Sequence, residues 1–180
     1  MYQVTGEELT ATADAIRTKS GTSEPIKWQP TKGFAEAILE GCQADLDLVV
    51  TGSIRSYAGN VDRVRQSCFR GCGDLIDVQL PECLYIRQLA FRGCAKLAEL
   101  VLPKCVSIQQ EAFYSCSVLA RLVLLSDTMC VLDNVNAFTN TPIARGAGSI
   151  EVPAALVDTY KADPVWSTYA ASIRAYEEVT

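Results

Sequence analysis

The chain repeats itself at an interval of 22 residues, and a period of that length leaves few folds open. Shifted by 22, Cys68-Phe69-Arg70-Gly71-Cys72 falls on Ala90-Phe91-Arg92-Gly93-Cys94 and then on Ala112-Phe113-Tyr114-Ser115-Cys116. The match continues through Leu75, Leu97 and Leu119, then Val78, Leu100 and Leu122, then Leu80, Leu102 and Leu124. Pro81 matches Pro103, and Ile86 matches Ile108. A fourth, divergent unit begins at Ala137-Phe138, with Thr141 where the others carry Cys and a longer connection through Thr128-Met129-Cys130-Val131 before it.

Within a unit, a segment such as Leu97-Ala98-Glu99-Leu100-Val101-Leu102 sends alternate side chains to one face of a short strand, and the following proline ends it. The preceding Ala-Phe-x-x-Cys suits a helical or 3₁₀ turn with Phe and Cys pointing inward. One unit alone leaves its apolar face exposed, so the units are expected to stack strand on strand into a parallel sheet. At about 4.8 Å per strand, four coils make a stack roughly 20 Å tall. The predicted fold is therefore an α+β solenoid of short 22-residue leucine-rich repeats, with Leu46-Asp47-Leu48-Val49-Val50 and Val61-Asp62-Arg63-Val64 in an irregular first coil.

The string Ala-Phe-x-x-Cys-x-x-Leu-x-x-Leu-x-Leu-Pro, followed by Val-x-x-Ile, resembles the BspA-like leucine-rich repeat of bacterial surface proteins. The resemblance covers residues 68–124 well.

The flanks read as helical. In the N-terminal one, Thr5 and Glu8 form a capping box, Leu9, Ala13 and Ile16 share a face, and Thr31 caps a second helix bearing Phe34, Ala37 and Ile38. At the other end Ser149-Ile150-Glu151-Val152-Pro153 reads as a last strand. Helices are expected from Pro153 through Lys161 and from Pro164 through Trp166, Tyr169 and Ile173. The expected domains are a helical attachment or cap segment at 1–42, the solenoid at 43–148, and a strand with a helical cap at 149–180. Glu8-Leu9-Thr10-Ala11-Thr12-Ala13-Asp14-Ala15-Ile16-Arg17 with Gly33-Phe34-Ala35-Glu36-Ala37-Ile38 resembles the start of tail-associated proteins in prophages of Gram-positive gut bacteria. Val152-Pro153-Ala154-Ala155-Leu156-Val157-Asp158-Thr159-Tyr160-Lys161 and Trp166-Ser167-Thr168-Tyr169-Ala170 resemble the segment closing repeat arrays in the same group.

Composition narrows the chemistry. Histidine is absent, which removes the commonest general base, the Ser-His and Cys-His nucleophile pairs and the usual nitrogen ligand of metal sites. A net charge of −5, with no run of Lys or Arg, offers no broad basic field, so nucleic acid and anionic membrane are not expected partners. No apolar run reaches membrane-spanning length, and Met1-Tyr2-Gln3-Val4-Thr5-Gly6-Glu7-Glu8 lacks the features of a secretory signal, so a soluble product made in a cytoplasm is expected.

Eight cysteines raise three readings. Cys72, Cys83, Cys94, Cys105 and Cys116 fall 11 apart, half the repeat, so two positions per unit favour Cys as a small apolar residue. Disulfides are the second reading. A thiol metal site is the third, opposed by the lack of a Cys-x-x-Cys pair and of histidine. The column Cys72, Cys94 and Cys116 is expected to be inward and reduced.

No catalytic residue, cofactor or metal site is expected. Asp74 and Asp77 lie on one coil, but Ala95-Lys96 and Ala98-Glu99 follow in the next, and Gly146-Ala147-Gly148 reads as a turn rather than a phosphate cradle. With Val78, Leu80, Leu100, Leu102, Leu122 and Leu124 inward, the outward ladders are Asp77, Glu99, Arg121 and Gln79, Val101, Val123. These are either the solvated side of a sheet or a binding face, since solenoids bind through such ladders and two valines facing water exceed what solvation needs. The resemblance to prophage tail proteins implies a non-catalytic tail or tail-fibre component in the virion, contacting a protein or glycan on a bacterial cell surface or other tail proteins. A homo-oligomer, a trimer for a fibre, belongs to that reading. The alternative is a BspA-like adhesin on the bacterial surface.

Overall fold

A computed structural model describes residues 54–178. The helices expected within 1–42 and the Leu46–Val50 part of the expected irregular first coil lie outside these residues. The described chain winds through ten strands in two parallel sheets. Strands β1 (Ser56–Ala58), β3 (Asp77–Gln79), β5 (Glu99–Leu102), β7 (Arg121–Leu124), β9 (Ser149–Val152) and β10 (Ile173–Ala175) form a six-stranded sheet in that order. Two-residue strands β2 (Arg63–Val64), β4 (Tyr85–Ile86), β6 (Ser107–Ile108) and β8 (Val131–Leu132) form the second sheet. The first four described coils thus contribute one strand to each sheet, while β9 and β10 extend the larger sheet alone, and the pairing places Gln79 against Val101, Leu100 against Leu122, and Ile86 against Ile108.

The third side of each coil is the Ala-Phe-x-x-Cys turn. Each turn closes by a short-range bond, Cys72 N–H to Phe69 C=O at 3.1 Å and Cys94 N–H to Phe91 C=O at 3.0 Å. The turns also bond to one another: Phe69 N–H donates to Ala90 C=O, Phe91 to Ala112 and Phe113 to Ala137, all at 2.8 to 2.9 Å. The bend needs left-handed backbone at the fourth position, which Gly71 and Gly93 adopt at φ 78° without a Cβ penalty, and which Ser115 and Asn140 adopt in the later turns.

The core is a set of columns along the stack. Phe69, Phe91, Phe113 and Phe138 are fully buried, with successive centroids 5.1 to 5.4 Å apart and planes within 10° of parallel. Tyr57 continues this column at the first described coil. Offset aromatic contacts of this kind add about 0.5–1.5 kcal/mol each beyond area burial. The cysteine column is buried and unbridged: the Cys94 thiol donates to Phe69 C=O at 3.1 Å and Cys116 to Phe91 C=O at 3.0 Å, one coil back. A second column holds Cys83, Cys105 and Cys130, the last two with sulfurs 3.8 Å apart. Burial pushes the Cys72 and Cys83 thiols up to about 11, which keeps both protonated at neutral pH.

The divergent fourth unit keeps the pattern by substitution. Thr141 is fully buried, donates its hydroxyl to Phe138 C=O at 2.6 Å and accepts from Ala144 N–H at 3.2 Å, so it closes its own turn instead of reaching back a coil.

The C-terminal segment differs from the expectation at two points. Strand β9 is not the last, because β10 pairs alongside it with Ile173 opposite Ile150. Ile173 therefore opens a strand, and the helix expected from Pro164 is a 3₁₀ helix confined to Trp166–Ser172. Between them runs helix α1 (Val157–Ala162), entered through a 3₁₀ turn at Ala154–Leu156. This segment covers the end of the core. Trp166 packs on Phe138 at 6.1 Å and donates its indole N–H to Cys130 C=O at 2.7 Å; the Tyr160 hydroxyl accepts from Cys130 N–H at 2.7 Å. Tyr169 donates to Val135 C=O, and Ser172 to Ile143 C=O at 2.9 Å. Backbone groups that a further coil would have satisfied are satisfied by side chains instead.

Candidate binding face

Alternation in the six-stranded sheet leaves Asp77 and Gln79 on β3, Glu99 and Val101 on β5, and Arg121 and Val123 on β7 pointing away from the core. The register places Glu99 beside Arg121, and Val101 beside both Gln79 and Val123. All six expected residues therefore share one face.

The face divides in two. On β3 and β5, Asp77, Gln79 and Glu99 are exposed and Val101 retains 37% of its surface. Gln79 leans on Asp77 at 3.4 Å. A groove of about 400 Å³ opens here, lined by these residues with Ile76, Pro81 and Pro103. Ile76 is 53% exposed, more than Val101. The sequence reading missed it because it looked only at strand positions; the signal was an isoleucine where later units carry Ala98 and Ala120.

On β7 and β9 the same face is closed, and the expected exposure of Val123 is incorrect: its side chain is fully buried. Its neighbour across the strand is Glu151, not a small or apolar residue. Arg121 binds Glu151 through two bonds, 3.0 and 2.7 Å, and reaches Glu99 on the other side. Arg174 on β10 adds a contact of 2.6 Å to Glu151, and Ser149 donates a hydroxyl at 3.2 Å. The result is a ladder of alternating charge, Glu99, Arg121, Glu151, Arg174, across four adjacent strands. The Arg121 guanidinium holds the Glu151 carboxyl far below its ordinary range, at about 2, with Arg174 helping and burial opposing. Glu151 in turn raises the pKa of Arg121.

The arrangement offers hydrogen-bond acceptors and apolar area at the groove but no activated nucleophile. Among the described residues no group of three or more His, Cys, Asp or Glu is placed to hold a metal ion. No described helix is long and apolar enough to cross a membrane.

Residues 53–152 match the family model described as the BspA type leucine rich repeat region, in six copies. The chain belongs to the BspA-type leucine-rich-repeat family. No curated protein and no solved structure matches the chain. BspA-type repeats form non-catalytic interaction scaffolds, so the class of function is protein binding or adhesion. The short parallel strands of both sheets fit such a repeat solenoid.

Proposed function

We propose that this BspA-type chain is a phage tail or tail-fibre component that binds a protein or glycan on a bacterial cell surface, or another tail protein, through the open half of its outer sheet. The observation carrying the choice of surface is the contrast between Val101 and Val123, equivalent in position but only the first accessible. The contact set is Ile76, Asp77, Gln79, Glu99 and Val101, with Arg121 positioning Glu99 at its border; Val123, on the same face but fully buried, lies outside the set. Two exposed aliphatic side chains rimmed by acids provide an apolar centre with polar specificity around it. The flanking segments that resemble prophage tail proteins support the tail setting. A bacterial surface adhesin is equally compatible with the repeat family and uses the same face.

In the full chain, Ile76→Lys with Val101→Asp should abolish adsorption to host cells while unfolding remains cooperative. Undiminished adsorption places the contact elsewhere. Tail, holin and lysin genes beside the coding sequence would decide for the tail over the adhesin, and light scattering tests the trimer.

A further inference from the structure

The chain has no run of basic residues, yet its 22-residue winding gathers basic side chains that the sequence scatters. Arg63 and Arg65 on one coil and Arg87 on the next stand at the four-stranded sheet, and Arg70 and Arg92 stand on the turns that follow those strands. Val64 and Ile86 point inward between them, which sends the flanking arginines outward.

Two described acids beside these arginines are already committed. Asp62 binds Arg63 at 2.6 Å, and Glu111 binds Arg92 at 2.5 Å. Arg70 and Arg87 pair with no carboxylate among the described residues. On a chain of net charge −5, this is a local reversal of sign.

The geometry points to a second binding site here, separate from the groove, for a polysaccharide that carries carboxylate groups. The guanidinia are held in place by the aromatic rings: Arg87 lies 5.1 Å and Arg63 5.9 Å from the Tyr85 centroid, and Arg92 4.6 Å from that of Tyr114. A stacked guanidinium loses little further freedom on binding, and its planar fork matches a carboxylate with two parallel bonds. Adjacent coils repeat at about 4.8 Å, close to the length of one sugar ring, so two neighbouring acidic sugars match the step from Arg65 to Arg87 and from Arg70 to Arg92. Ser107, next to Tyr85 in the sheet, adds a hydroxyl for sugar oxygens. Single-stranded nucleic acid is disfavoured by the same contacts, because it binds by stacking bases on open aromatic faces and these rings already carry guanidinia.

The test uses the full chain and oligogalacturonate as probe, followed by calorimetry at low salt, with a neutral glucose oligomer and a charge-matched single-stranded oligonucleotide alongside. Oligogalacturonate should bind, more weakly as salt rises, and the neutral sugar should not. Arg87→Glu should weaken binding by about tenfold or more, which is the loss of one charge-assisted contact. Arg70→Glu, at an exposed position, gives the same reading if the first variant folds poorly. Ile76→Lys with Val101→Asp should leave this binding unchanged, which separates the site from the groove. Absence of binding, indifference to both arginine variants, or equally tight binding of the oligonucleotide would overturn the proposal.

Discussion

The two halves of the outer sheet share one backbone pattern and behave oppositely. On β3 and β5 the outward column carries Asp77, Gln79, Glu99 and Val101 and stays open; on β7 and β9 it carries Arg121, Val123 and Glu151, the last two buried, with Arg174 of β10 paired to Glu151 at the exposed margin. Charge pairing makes the difference. Asp77 and Glu99 are acids on neighbouring strands at equivalent positions and leave each other solvated, whereas Arg121 stands between two acids and draws Glu151 down over the sheet. A repeat therefore fixes where a side chain stands, while its neighbours across the strands decide whether it is accessible.

The largest effect that distinguishes the halves is expected from the two valines. Val123→Asp introduces an unpaired charge at a fully buried position and should destabilise by about 3 kcal/mol or more, whereas Val101→Asp should change stability by less than about 0.5 kcal/mol. Chemical denaturation of both variants measures this, and equal losses would erase the distinction between open and closed halves.

The next effect is the pH dependence of the latch. The folded-state pKa of Glu151 lies near 2, below the unfolded value, so its contribution is complete above about pH 4.5 and is lost as pH falls toward 2. Glu151→Gln should cost about 1–3 kcal/mol at pH 7 and flatten the acid limb of the stability profile. An acid limb unchanged in the variant would show that Glu151 does not hold the closed half.

The smallest effect is expected in the open half, where ion pairs link successive coils at the surface. Lys96 meets Asp74 at 2.5 Å and Lys104 meets Glu82 at 2.7 Å, with every partner about half exposed. Lys104→Ala should cost no more than about 0.5 kcal/mol, and 0.5 M salt should remove even that difference. A loss comparable to that of Glu151→Gln would mean that both halves depend equally on charge.

Much of this was legible from the repeat. The columns Leu100, Leu102, Leu122 and Leu124 and the cysteines Cys72, Cys94 and Cys116 are inward because the same residue types recur at one interval, and one interval means one direction in space. The shared face of Asp77, Glu99 and Arg121 followed from the same count. Ile76 did not, because it stands just before its strand and reaches the groove sideways.

By itself the sequence determined the stacking interval, the inward columns and the outward ladders, because these depend only on local periodicity. The tertiary structure alone decided that Val123 is inaccessible, that β10 returns to the sheet, and that Arg121 and Arg174 close on Glu151. Each of these outcomes depends on residues that come together only when coils stack: Glu151 lies 30 positions from Arg121, and Arg174 a further 23 from Glu151. No window of one repeat length contains both members of those pairs, so their meeting is a property of the folded chain.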